Sequence, residues 1–264
     1  MAEVSTLTKR DELSTPFAVT EIGAAQSGGL HLIYGHGWGQ SGTAFQPLAD
    51  TLKPFAPSSL IDFPGFGKSA IPPETWSTAD YADAVAGWLR TLPPAKFLWI
   101  GHSFGGRVGI QLAARHPHLL SGMVLIAAAG LQRRRTFVEK LQKNSRVLAF
   151  KFAKRFVREG PDLDRLRQRF GSSDYRLAGA MRPIFLRVIR EDLTPQARLV
   201  ACPTLLIYGT RDMDTPPEIG ERLHKLIAGS ELSLLEGFTH LSILTDGRHQ
   251  VAMRIRRFME QIQK

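Results

Sequence analysis

One pattern restricts this 264-residue chain more than any other. A short, near-continuous apolar run is followed by a turn with Gly or Pro and then by a stretch with helical apolar spacing, again and again. The apolar runs fall at residues 30–34, 59–63, 97–100, 123–127, 205–208 and 232–235, with an earlier, more polar strand at 17–22. Helical spacing is carried by 41–52, 78–92, 104–115, 216–227 and 247–261. Runs without polar alternation suit strands buried on both faces of a parallel sheet. Strands alternating with helices predict an α/β fold with a mostly parallel, doubly wound sheet. The alternation breaks once, between Gly130 and Pro203, in an interval that looks helical. Because strands resume after it, residues 1–130 and 201–264 are expected to form one core, with 131–200 inserted as a helical cap.

Composition removes several function classes. Cys202 is the single cysteine, so no internal disulfide is expected, and its place before Leu205-Leu206-Ile207 suits a small buried hydrophobe. Residues 1–14 are polar and mixed in charge, without the apolar core of a secretory signal, and no stretch has the length of a membrane span. A cytoplasmic protein is the resulting expectation. There is no Cys-x-x-Cys and no His-Glu-x-x-His, so no metal and no cofactor is expected.

Chemistry is concentrated in Gly101-His102-Ser103-Phe104-Gly105, which follows a predicted strand and opens a predicted helix. This is the context of a nucleophile elbow, a strained strand-to-helix turn that exposes a serine at a helix N-terminus. Serine needs a neighbouring base, and the partners of such an elbow follow along the chain as acid and then histidine. Of the downstream histidines, His116 and His118 flank Pro117 after a helix, and His224 and His249 fall within helices. His240 alone lies in a loop after the last apolar run, where catalytic groups gather in open α/β sheets. Asp212 and Asp214 both follow the strand at 205–208, and position alone allows either as the acid.

Gly209, Asp212 and Pro216 together resemble the Gly-x-x-Asp-x-x-x-Pro acid loop of the α/β-hydrolase superfamily, which favours Asp212. His36-Gly37-Trp38-Gly39 resembles the same family's oxyanion loop. The resemblance implies that the backbone N–H groups of Trp38 and Phe104 receive the oxyanion of a tetrahedral intermediate, with His36 structural. Asp62-Phe63-Pro64-Gly65-Phe66-Gly67-Lys68-Ser69 ends like a phosphate-binding loop, but Asp62 stands where that loop requires glycine. It is similar instead to a structural turn of α/β-hydrolases. These matches run in family order from about Leu30 to His240. They imply a serine hydrolase in which Ser103 attacks, His240 takes the proton and Asp212 orients the imidazole. The loop at His36 also resembles that of esterases cleaving a pimeloyl-carrier-protein methyl ester. The same triad serves carbon–carbon and thioester hydrolysis, acyl transfer and perhydrolysis, and also occurs in ligand receptors with little turnover.

The formal charge of +10 has one source: residues 131–200 hold 18 Lys/Arg against 7 Asp/Glu. Within them Phe137, Leu141, Leu148, Phe152 and Phe156 recur at roughly helical spacing among Lys140, Lys143, Arg146, Lys154, Arg155 and Arg158. A cap with a solvated basic face, a contact with an anionic membrane surface, and a docking face for an acidic carrier protein all fit this pattern. No nucleic-acid recognition motif accompanies the charge, so no nucleic-acid partner is expected, and the resemblance to α/β-hydrolases implies a small ester or acyl substrate.

Overall fold

In a computed structural model the described residues are 17–24, 27–133, 148, 152, 155, 174–175 and 178–263. Seven strands form one sheet: β1 (Ala18–Ile22), β2 (Leu30–Gly35), β3 (Ser58–Asp62), β4 (Lys96–His102), β5 (Gly122–Ile126), β6 (Thr204–Gly209) and β7 (Glu231–Leu235). Their order is β1-β3-β2-β4-β5-β6-β7. All neighbours are parallel except β1, which runs antiparallel to β3 at the edge. This is the expected mostly parallel, doubly wound sheet, and each apolar run forms a strand to within a residue or two.

The two-residue period of a strand sends alternate side chains to opposite faces. Ile33, Trp99, Leu125 and Leu206 enter one core with α2 (Thr78–Leu89), α3 (Phe104–Arg115) and α6 (Pro217–Leu226). Leu32, Ile100, Val124 and Ile207 enter a second core with α1 (Gln46–Leu52) and α7 (Arg248–Ile262). Two apolar layers therefore cover one sheet.

The helix expected over 41–52 is split into a 3-10 turn, Gly42–Phe45, and α1. Pro47 lies in the first turn of α1, where its missing N–H costs nothing. Asp62 takes the Gly42 N–H on Oδ1 at 2.7 Å and the Lys68 N–H on Oδ2 at 2.8 Å. A Cβ on Gly67 would stand 2.1 Å from Asp62 Oδ2, so the Gly-Lys-Ser stretch is a closed structural turn.

Within the expected cap, residues 178–200 form the 3-10 turn Gly179–Met181 and the helices α4 (Arg182–Val188) and α5 (Thr194–Ala197). Ile184, Val188, Leu193 and Ala197 join the core on the α3 face of the sheet. The basic run 137–158 lies outside the described residues except for Leu148, Phe152 and Arg155, all exposed. Among the described residues no helix is long and apolar enough to cross a membrane.

Candidate active site

Ser103 is the residue between β4 and α3, and it has φ +49° and ψ −104°. L-residues rarely adopt positive φ, and such strain persists only where surrounding structure enforces it. Here the enforcement is close packing. A Cβ on Gly101 would lie 2.4 Å from the Gly105 carbonyl oxygen, and one on Gly105 would lie 1.9 Å from that of Gly35. The Gly105 N–H donates to the His36 carbonyl at 3.0 Å, and the buried Trp99 indole donates to the Gly105 carbonyl at 3.1 Å. The tight strand-to-helix turn expected from sequence is present, and it places Ser103 at the start of a twelve-residue helix.

The acid loop is built differently. Asp212 is 2% exposed, and both its carboxylate oxygens are engaged. Oδ1 accepts the N–H groups of Asp214 and Thr215, each at 2.8 Å. Oδ2 accepts the Thr215 hydroxyl at 2.8 Å and His240 Nδ1–H at 2.7 Å. Burial pushes the Asp212 carboxyl up, but the hydrogen bond and charge of His240 and the bonds from Thr215 outweigh it. Its pKa lies below the ordinary value of 3.8. Asp214 is exposed, so the two acids that position alone left open have different surroundings. Asp212, Asp214 and His240 bring one ligand atom each within 4.8 Å of one another. Asp212, however, already spends its oxygens on its own loop and on the imidazole.

Two residues beyond the sequence reading shape the site. The Thr215 hydroxyl touches Asp212 Oδ2 and lies 3.1 Å from His240 Nδ1 and 2.9 Å from the carbonyl of Ala127, itself at φ +46°. His102 is fully buried, its ring 4.7 Å from that of His240, and its Nε2–H donates to the His240 carbonyl at 3.0 Å. Burial, then the neighbouring imidazole, brings the pKa of His102 down to about 3, so it is neutral at pH 7. His36 is likewise buried, with a pKa lowered to about 4. Its Nδ1–H donates to the Gly37 carbonyl at 2.7 Å and its Nε2 accepts the Phe63 N–H at 3.0 Å, a structural role in the loop before Trp38.

A cavity of about 630 Å³ joins these elements. Ser103, Phe104, Trp38 and His240 line it, together with Leu131, Phe185 and Val188. Trp38 packs edge-on to Phe66 and Phe104. Neither the Trp38 nor the Phe104 N–H has a protein acceptor among the described residues.

Comparison with known proteins agrees with this architecture. The alpha/beta hydrolase fold family matches residues 31–168. A pimeloyl-[acyl-carrier protein] methyl ester esterase of Neisseria meningitidis serogroup C is 31% identical over 252 residues, covering 90% of this chain and 93% of that protein. A 2-(acetamidomethylene)succinate hydrolase of Mesorhizobium japonicum is 29% identical over 200 residues, covering 69% of this chain and 71% of that protein. The solved structure of a thermophilic esterase from Thermogutta terrifontis superposes with a TM-score of 0.69 at 22% identity, covering 94% of each chain. The fold and the span of these matches together place this chain in the α/β-hydrolase family, among relatives that are hydrolases and esterases.

Proposed function

We propose that the protein hydrolyses a carboxylic ester through a covalent acyl-enzyme on Ser103. The observation that carries this reading is the His240 Nδ1–Asp212 Oδ2 hydrogen bond beside a cavity that Ser103 also lines. With its Nδ1 proton held by Asp212, His240 has Nε2 free to act as a base. Ser103 Oγ attacks the ester carbonyl, forming a C–O bond as His240 Nε2 takes the hydroxyl proton. The carbonyl π electrons move to oxygen, and the N–H groups of Trp38 and Phe104 receive that charge. Collapse breaks the bond to the alkoxy group, which leaves as the alcohol with the proton from His240. Water then attacks the acyl-enzyme, giving its proton to His240, and the acid departs as Ser103 recovers its hydrogen.

In this reading residues 131–200 are a cap over the core, and Leu131, Phe185 and Val188 form the roof of the acyl site. The relatives named for a carrier-linked methyl ester, together with the 18 Lys/Arg among those residues, favour an acidic carrier protein over a membrane surface as a partner of the cap.

The test is a panel of para-nitrophenyl esters of increasing acyl length. Turnover by the wild type that vanishes in Ser103→Ala, with the circular dichroism spectrum unchanged, is the expected result. Esterase activity retained in Ser103→Ala rules the assignment out. No turnover of any ester by the wild type favours a receptor with the same geometry.

A further inference from the structure

Arg107 stands one turn after Ser103 on α3, its N–H bonded to the Ser103 carbonyl at 3.3 Å. Both residues line the same cavity. Arg107 is only 8% exposed, yet no carboxylate among the described residues pairs with it. Its Nη1 donates to the main-chain carbonyl of Glu191 at 3.2 Å. The Glu191 carboxylate is taken elsewhere, by the N–H and hydroxyl of Thr78 at the start of α2. Burial lowers the pKa of the guanidinium below its ordinary value, and the charges of Glu191 and Asp192 offset this only in part.

A guanidinium offers five N–H donors in a planar fork that matches a carboxylate. One carbonyl leaves most of that fork unused. A buried cation is costly until an anion meets it at close range. Pinning a carbonyl of the cap needs only a neutral donor, so the charge has no use in that contact.

The other charged groups of the cavity indicate where an anion would sit. Asp174 and Asp214 line it with His240, and burial and then Asp214 push the Asp174 carboxyl upward. Arg133, also in the lining, donates to the Met213 carbonyl at 3.2 Å. The acids disfavour an anion on their side and leave it to Arg107. Leu131, Phe185 and Val188 supply apolar surface for a short methylene spacer.

We infer that Arg107 is a specificity-determining residue that binds a second, anionic group of the substrate, so that the preferred esters are monoesters of short dicarboxylic acids. The inference rests on the reading of Ser103 as the nucleophile.

It is tested with monomethyl succinate and monomethyl glutarate against the neutral methyl succinamate and methyl glutaramate. A charge-assisted pair predicts that the wild type prefers the acids by about 10- to 100-fold in kcat/KM. Arg107→Gln should bring that ratio close to one, and Arg107→Lys should keep part of it, since a point charge replaces the fork. A wild-type ratio at or below one overturns the inference, and so does an unchanged ratio in Arg107→Gln. The wild-type ratio decides even where Arg107→Gln fails to fold. Calorimetry separates this inference from the esterase reading. Monomethyl succinate should bind Ser103→Ala, and adding Arg107→Gln should weaken that binding by a similar factor. Arg107-dependent binding in a protein that hydrolyses none of the four esters would uphold the anion site and reject the esterase. Hydrolysis without any Arg107 dependence would do the opposite.

Discussion

The turn that carries Ser103 and the loop that carries Asp212 sit at the same end of one sheet, two strands apart. They are held by different means. The Ser103 turn is held by an absence of side chains: Gly101 and Gly105 let backbone segments meet where no Cβ fits, and Gly35 leaves room for the Trp99 ring. The Asp212 loop is held by hydrogen bonds to a buried carboxylate. Steric closeness is unforgiving, whereas a polar network weakens bond by bond. The two regions should therefore break in different ways.

The largest effect belongs to the glycine-packed turn. A methyl group on Gly105 would fall 1.9 Å from the Gly35 carbonyl oxygen, backbone against backbone, with no flexible side chain to yield. Gly105→Ala should cost about 4 kcal/mol or more, read as loss of soluble folded protein or a large fall in denaturation midpoint. A variant with wild-type midpoint would show that the turn relaxes freely.

In the polar loop, Asp212→Asn should leave the fold in place and lower kcat by about ten-thousand-fold, because the amide favours the wrong imidazole tautomer. Steady-state kinetics on a short ester measures it. The same comparison predicts a drop in stability in acid. Asp212, with its carboxyl lowered, contributes stability above its ordinary 3.8 that is lost as pH falls through its lower folded value. His36 and His102 act earlier. Their folded values of about 4 and about 3 lie below the ordinary 6.5, so the unfolded chain gains protons first as pH drops. Stability should decline from about pH 6.5 downward, each histidine adding at most about 1.4 kcal/mol per pH unit. Urea titrations at stepped pH check the slope, and a flat profile between pH 6.5 and 4 contradicts the assignment of neutral buried rings.

Smaller effects sharpen the contrast within the loop. Thr215→Val keeps the shape and removes one hydroxyl from Asp212 Oδ2, so kcat should fall about tenfold. Asp214 contributes its N–H to Asp212 while its own residue is exposed. Asp214→Asn should change kcat about threefold at most. If Asp214→Asn were the more damaging of the two Asp→Asn changes, Asp214 would be the orienting acid.

These two regions also differ in how far they can be read from sequence. Ser103 is legible because its strain demands glycine on both sides, and Gly-x-Ser-x-Gly writes that demand locally. Asp212 and His240 are legible only by chain order and loop position, and choosing Asp212 over Asp214 needed the family likeness. Thr215, His102 and Arg107 are not legible in the sequence, because their contacts are with residues far away in the chain: Ala127 and His240, His240, and Glu191. A local clue existed for Thr215, since Asp-x-x-Thr lets both the amide and the hydroxyl reach back to the carboxylate. The sheet was readable from its apolar runs, but nothing in residues 17–22 states that β1 runs antiparallel. The 3-10 turn that begins 41–52 has its first N–H, that of Gly42, held by Asp62 from twenty residues away, a partner that the local sequence does not reveal.

The central claim is that Ser103 is a nucleophile activated by His240. Labelling with a fluorophosphonate, followed by peptide mass spectrometry, tests it most directly. The phosphonyl group should be found on Ser103 in the wild type, be absent in Ser103→Ala, and form at least a thousandfold more slowly in His240→Ala, as about 4 kcal/mol of base assistance requires. Labelling at another residue, or an unchanged rate at Ser103 without His240, contradicts the account.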